Sequence, residues 1–223
     1  MAFTYEVFSS EDWAQKTAAV IADALPGSGT IVLTGGTTAE KVYPLLARSE
    51  ARWADLDVAF SDERCVHPED PASNYKMARD LLLDQVKPKA VHRMRGEDPP
   101  DLAADEYHSE MAPLVAGGLD VVLLGMGADA HVGAMFPGSM VLEETDRYCR
   151  PVDRPDGLGG LTLTPPALLA GKRILLLVTG AGKAETVARV INGNETPAAA
   201  PARLLADHPS ATFLLDEAAA SAL

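Results

Sequence analysis

Short apolar runs recur along the chain with helical patterns between them. TIVLT (30–34), LDVAFS (56–61), LDVVLLG (119–125), RILLLVTG (173–180) and ATFLLD (211–216) are apolar at both odd and even positions. That pattern predicts strands covered on both faces. EDWAQKTAAVIADAL (11–25), AEKVYPLLARS (39–49), NYKMARDLLL (74–83), PPDLAADEYHSEMAPLV (99–115) and KAETVARVING (183–193) predict helices. Proline stands early in the fourth of these, where a helix tolerates it, and the fifth stops at Asn-Gly. DEAAASAL (216–223) predicts a closing helix. Strands alternating with helices predict an α/β fold, with a mostly parallel sheet and helices on both faces. The rhythm breaks over 137–172, which is rich in Pro and Gly (FPGS, RPDGLGG, TPP). This segment predicts a small inserted excursion with short strands. TPAAAPA (196–202) predicts a connection or a helix start.

The size and composition fit this picture. The chain has 223 residues, 47% of them hydrophobic, enough for a full core, and we read 1–223 as a single domain. The net charge of −13 argues against nucleic acid or an anionic membrane surface as a partner. It leaves room for a small anionic substrate, because a few local cations outweigh a distant field. Cys65 and Cys149 form no CxxC motif and predict reduced thiols. The opening MAFTYEVFSSEDWAQ has no basic start followed by a long apolar run, which argues against a signal peptide. No stretch reaches membrane-spanning length. These features predict a cytoplasmic protein, a monomer or small homo-oligomer.

In open α/β sheets, ligands bind beyond the carboxyl ends of the strands, so the residues just after each strand carry the chemistry. TGGTTAE (34–40) offers Gly35 and Gly36 for a tight turn, and Thr37 and Thr38 to cap the next helix, beside N–H groups that suit a phosphate. SDERC (61–65) places three charged residues after an apolar strand. Arg64 is suited to a bidentate grip on phosphate, and Asp62 or Glu63 to orienting a water or a sugar hydroxyl. In GMGADAHVGAMFPG (125–138), His131 is a candidate base for hydrolysis, with Asp129 two residues away to orient it. Its GxGxxA is a weak dinucleotide signal without the required acid on the next strand. TGAGKAE (179–185) departs from a P-loop at Ala184, where Ser or Thr should follow the lysine, which argues against NTP hydrolysis, yet Lys183 is placed to meet an anion at a helix N-terminus. There is no GxSxG elbow. His67, His92, His108 and His208 show no metal-ligand spacing, so no metal is expected.

Taken together, LTGGTTAEKVYPLLA, FSDERCVHPEDPASNYKMARDLLL, AADEYHSEM, DVVLLGMGADAHVGAMFPGS, LTLTPPALLAGKRILLLVTGAGKAE and TFLLDEAA resemble the 6-phosphogluconolactonases nearly end to end. The resemblance implies a Rossmann-like parallel sheet, related to that of glucosamine-6-phosphate deaminases and ribose-5-phosphate isomerases. It implies hydrolysis of 6-phosphoglucono-δ-lactone in the pentose phosphate pathway, without cofactor or metal. By the same resemblance the catalytic histidine is His131, the DER motif is Asp62, Glu63 and Arg64, and the glycine loop is Gly35, Gly36 and Thr37. The SN pair is Ser73 and Asn74, and the late lysine is Lys183.

The chain departs from the family pattern in two places. DAHVGA stands where DGHTAS is usual, which removes two hydroxyls expected near the site. Gly160 stands where a basic residue often precedes TLT, leaving Arg154 or Arg203 to supply that charge. The alternative reading is an isomerase or deaminase of the same fold. Those relatives typically carry an acid after the histidine, in a pattern like FNEP, where this chain has MFPG. A non-catalytic sugar-phosphate-binding homologue is the third.

Overall fold

The computed structural model describes residues 3–223. Its larger sheet has seven strands, all parallel, in the order β1-β10-β9-β6-β2-β3-β5. These are β1 (Thr4–Phe8), β2 (Gly29–Leu33), β3 (Leu56–Phe60), β5 (Ala90–Val91), β6 (Leu119–Gly125), β9 (Gly171–Val178) and β10 (Ala211–Asp216). The principal helices are α1 (Trp13–Ala24), α2 (Thr37–Leu46), α5 (Pro100–Gly117) and α7 (Ala184–Asn192). Helix α3 (Asn74–Ala78) runs on through a π-helical segment, Arg79–Leu83, into a last turn, α4 (Asp84–Val86).

Two hydrophobic cores lie on the two faces of the sheet, and alternation along each strand divides its residues between them. Val121 and Leu123 of β6 join Leu175 and Leu177 of β9 in the core beneath α1 and α2, with Trp13 and Tyr43. Val122 and Leu124 join Ile174, Leu176 and Val178 in the core beneath α5 and α7, with Tyr107 and Val187. This is why the runs are apolar at both odd and even positions.

The excursion holds β7 (Cys149–Asp153), β8 (Gly159–Leu163) and α6 (Pro165–Leu169). Its hairpin pairs with β4 (Asp62–Arg64), so SDERC contributes a strand of a second, antiparallel sheet ordered β4-β8-β7 rather than a solvated loop. The closing helix does not form. Residues after Asp216 make hydrogen-bonded turns, although the Asp216 carboxylate accepts from the Ala219 N–H as a helix N-cap would and, across the sheet edge, from the Gly180 N–H. Seven residues are too few to sustain a helix beyond that cap. The TPAAAPA segment leads into a short 3-10 turn, Pro201–Leu205. Among the described residues no helix is long and apolar enough to cross a membrane.

The strand order reverses between β2 and β6. From β2 the chain fills the sheet outward through β3 and β5, and from β6 through β9 and β10. The loops after β2 and β6 therefore open a crevice at the switch point, where doubly wound sheets bind ligands.

Candidate active site

A cleft of ≈ 220 Å³ opens at this switch point. It is lined from β2 by Gly35, Gly36 and Thr37, from β4 by Asp62 and Arg64, from β6 by Gly127 and His131, and after β9 by Lys183, with Arg154 reaching in from the β7–β8 hairpin. Three cations thus gather at one crevice in a chain of net charge −13. Asp129 stands behind the histidine, outside the lining. Asn74 lines an adjoining groove that shares Gly36, Thr37 and Arg64 with the cleft.

Two buried tyrosines set the strand ends. The Tyr43 hydroxyl donates to the Thr34 carbonyl (2.6 Å) and accepts from the Thr34 N–H (3.0 Å). The Tyr107 hydroxyl does the same for Phe60, accepting from its N–H at 2.8 Å and donating to its carbonyl at 3.0 Å. Each phenol closes off the last backbone pair of its strand, so that the next residues turn away at a fixed point. Burial raises both phenols above the ordinary tyrosine range, which keeps them neutral donors. Sequence patterning identifies these tyrosines only as apolar positions on their helices.

Helix α2 begins at Gly36, whose φ is 90°, with no side-chain cap. Thr37 and Thr38 are thus first-turn residues facing the cleft rather than caps, and the N-terminal N–H groups are presented to it. A Cβ at Gly35 would stand 1.9 Å from Asn74 Oδ1, so glycine there is required by the packing of Asn74.

The DER strand divides its labour. Glu63 is buried and holds the start of α3: it accepts from the N–H groups of Arg64, Asn74 and Tyr75 and from the Ser73 hydroxyl. Burial pushes its carboxyl up against those lowering contacts. It is not available to orient a water. Asp62 accepts from the Ser61 hydroxyl at 2.8 Å and from Asn74 Nδ2 at 3.0 Å. Asn74 is therefore placed to aim Asp62. Arg64 donates from Nη1 to the Ala72 carbonyl, while its buried Nε has no protein partner.

His131 lies on a loop folded tightly on itself, with Gly127 N–H donating to the His131 carbonyl (2.9 Å) and Ala130 N–H to the Gly127 carbonyl (3.1 Å). Helix α7 ties this loop down: Thr186 donates to the Ala128 carbonyl and Lys183 Nζ to the Met126 carbonyl, at 2.6 and 2.7 Å. Burial lowers the Lys183 ammonium, opposed by the charge of Asp129. Ala130 adopts φ +71°, a left-handed conformation that a residue with a Cβ rarely takes. His131 Nδ1 lies 2.6 Å from Asp129 Oδ1, and its ring packs on Phe136 at 4.7 Å between centroids. Burial alone would raise the Asp129 carboxyl, but the His131 N–H and ring outweigh it and hold it below the usual carboxylate range. Val132 and Ala134 are fully buried and line no part of the cleft, so a hydroxyl at either position is not a loss to it. Of the two arginines considered for the charge missing at Gly160, Arg154 lines the cleft, whereas Arg203 donates to the Val190 carbonyl on α7.

A family model described as "Glucosamine-6-phosphate isomerases/6-phosphogluconolactonase" matches residues 9–214, and the chain belongs to that family. Within it, a 6-phosphogluconolactonase of Streptomyces coelicolor is 36% identical over 228 residues, spanning 93% of this chain and 87% of its own length. The crystal structure of a 6-phosphogluconolactonase from Shewanella baltica superposes with a TM-score of 0.86 at 26% identity, covering 96% of this chain and 97% of the other. A monomeric glucosamine-6-phosphate deaminase shares the fold with a TM-score of 0.88 at 24% identity, covering 99% and 100%.

Proposed function

We propose that this chain hydrolyses 6-phospho-D-glucono-1,5-lactone to 6-phospho-D-gluconate in the cytoplasm, with His131 as general base. The Asp129–His131 pair at the rim of a cation-lined crevice is the observation that carries this reading. With Nδ1–H donated to Asp129, Nε2 keeps its lone pair for a water. The water attacks the lactone carbonyl, and the protonated ring then delivers its proton to the departing ring oxygen. Asp129, held as carboxylate, steadies the imidazolium formed between these steps.

Arg64, Lys183 and the N–H groups at the start of α2 hold the phosphate, which fixes the carbonyl carbon against the water. Asp62, aimed by Asn74, meets a sugar hydroxyl. No group of this set requires a metal. Replacing His131 by Ala is expected to lower kcat by about 10²–10⁴-fold with little change in KM. Turnover of that variant at the unsubstituted rate would remove His131 from the reaction.

A further inference from the structure

The β7–β8 hairpin places Arg154 where a side chain at residue 160 would otherwise stand. A Cβ on Gly160 would lie 2.9 Å from Arg154 Cδ and 3.1 Å from its Cγ. Glycine there is what lets the arginine lie across the strand and reach the cleft. The side chain is only 11% exposed. Its guanidinium caps the Phe136 ring at 5.7 Å, and that ring packs on His131. Arg154 therefore stands one aromatic ring away from the proposed base.

The hairpin also supplies Arg154 with an anion. Asp156 accepts from Nη2 at 2.8 Å and from Nε at 3.2 and 3.3 Å, and is itself fixed by the Leu158 N–H. Arg154 Nη1 has no partner among the described residues. Asp156 is 46% exposed, at the solvent end of this pair. Its carboxyl is held below the usual range, first by the Arg154 hydrogen bond, and the charge of Arg64 adds to the effect. Two guanidiniums thus act on one carboxylate at the edge of the cleft.

We propose that Arg154 is a phosphate contact of this cleft and that Asp156 is a built-in competitor for it, displaced when the phosphorylated ligand binds. This rests on the reading of the cleft as a sugar-phosphate site. The two residues then act with opposite sign. Removing Arg154 deletes a charge-assisted contact to phosphate. Removing the charge of Asp156 frees the guanidinium and abolishes a repulsion against the incoming phosphate.

The test uses Arg154→Gln and Asp156→Asn in the full chain, with melting temperatures measured for both. Binding of inorganic phosphate and of 6-phosphogluconate is followed by calorimetry, and KM by lactone turnover. Arg154→Gln is expected to weaken binding and raise KM by about tenfold or more. Asp156→Asn is expected to tighten both by roughly 1.5- to fivefold, as befits a partly exposed pair. If the pair only braces the hairpin, both variants shift binding in the same direction, or neither does, and the proposal is overturned. Because phosphate binding is read without turnover, opposite shifts in a chain that hydrolyses no lactone would sustain this inference while defeating the proposed activity.

Discussion

Gly127 offers a substitution that should silence the site and spare the fold. An added Cβ would lie 2.1 Å from His131 Nδ1, 2.3 Å from its Cε1 and 2.4 Å from Asp129 Oδ1. Ordinary van der Waals contact starts at 3.4 Å, so the pair must retreat by roughly 1 Å or more. A displacement of that size at a reacting group costs about 10²-fold in rate, within the range expected for losing general-base catalysis altogether. Gly127 lies outside the left-handed region, so alanine fits its backbone, and the stiffer unfolded chain offsets some of the local crowding. The phosphate contacts of Arg64 and of the start of α2 lie on other elements and should be untouched. Gly127→Ala is therefore expected to keep its melting temperature and KM while kcat falls about 10²-fold. The assay generates the lactone in situ, subtracts spontaneous hydrolysis, and follows 6-phosphogluconate by its oxidation. Normal kcat in a stably folded Gly127→Ala variant would refute the reasoning, because the Asp129–His131 geometry would then be dispensable.

Other outcomes follow from the same contacts. Asp129→Asn should lower kcat by roughly 10²-fold through loss of the tautomer and of the charge facing the imidazolium, with the folded yield unchanged. Glu63→Ala strands the N–H groups of Arg64, Asn74 and Tyr75 and should reduce stability by about 3 kcal/mol or more in urea titrations. Glu144 accepts from the N–H groups of Asp146 and Arg147 and pairs with Arg150, and these contacts hold its carboxyl at about 2. A depressed carboxylate adds stability above its unfolded value and loses it as pH falls toward its folded value. Glu144→Gln should therefore lower the melting temperature at pH 7, with the gap closing as pH drops below about 4.3.

The central strands were legible because burial on both faces leaves apolar residues at odd and even positions alike, with charge confined to the strand starts, as at Asp120 in LDVVLLG and Arg173 in RILLLV. Strand β1, TYEVF, was not, since it sits at an edge where Tyr5 and Val7 are exposed and the alternation says little. Strand β4 hid for a different reason: its partner β8 lies about a hundred residues on, and three charged residues look like a loop until that pairing is known. The Ala-rich end suggested a helix by composition, but the seven residues beyond Asp216 are too few to sustain one. The site was legible where chemistry and position coincide, as at His131, Arg64 and Lys183, which the fold brings to one cleft. Asn74 was placed with them by resemblance, yet its amide faces Asp62. The supporting contacts of Glu63, Tyr43 and Arg154 depend on distant partners that no local pattern encodes.

The most direct measurement is the rate of disappearance of enzymatically generated 6-phosphoglucono-δ-lactone, with and without the chain and with and without a chelator. The account predicts clear acceleration over spontaneous hydrolysis, unaffected by chelation and reduced about 10²–10⁴-fold by His131→Ala. No acceleration by the folded chain, or release of ammonia from glucosamine 6-phosphate in its place, would contradict it.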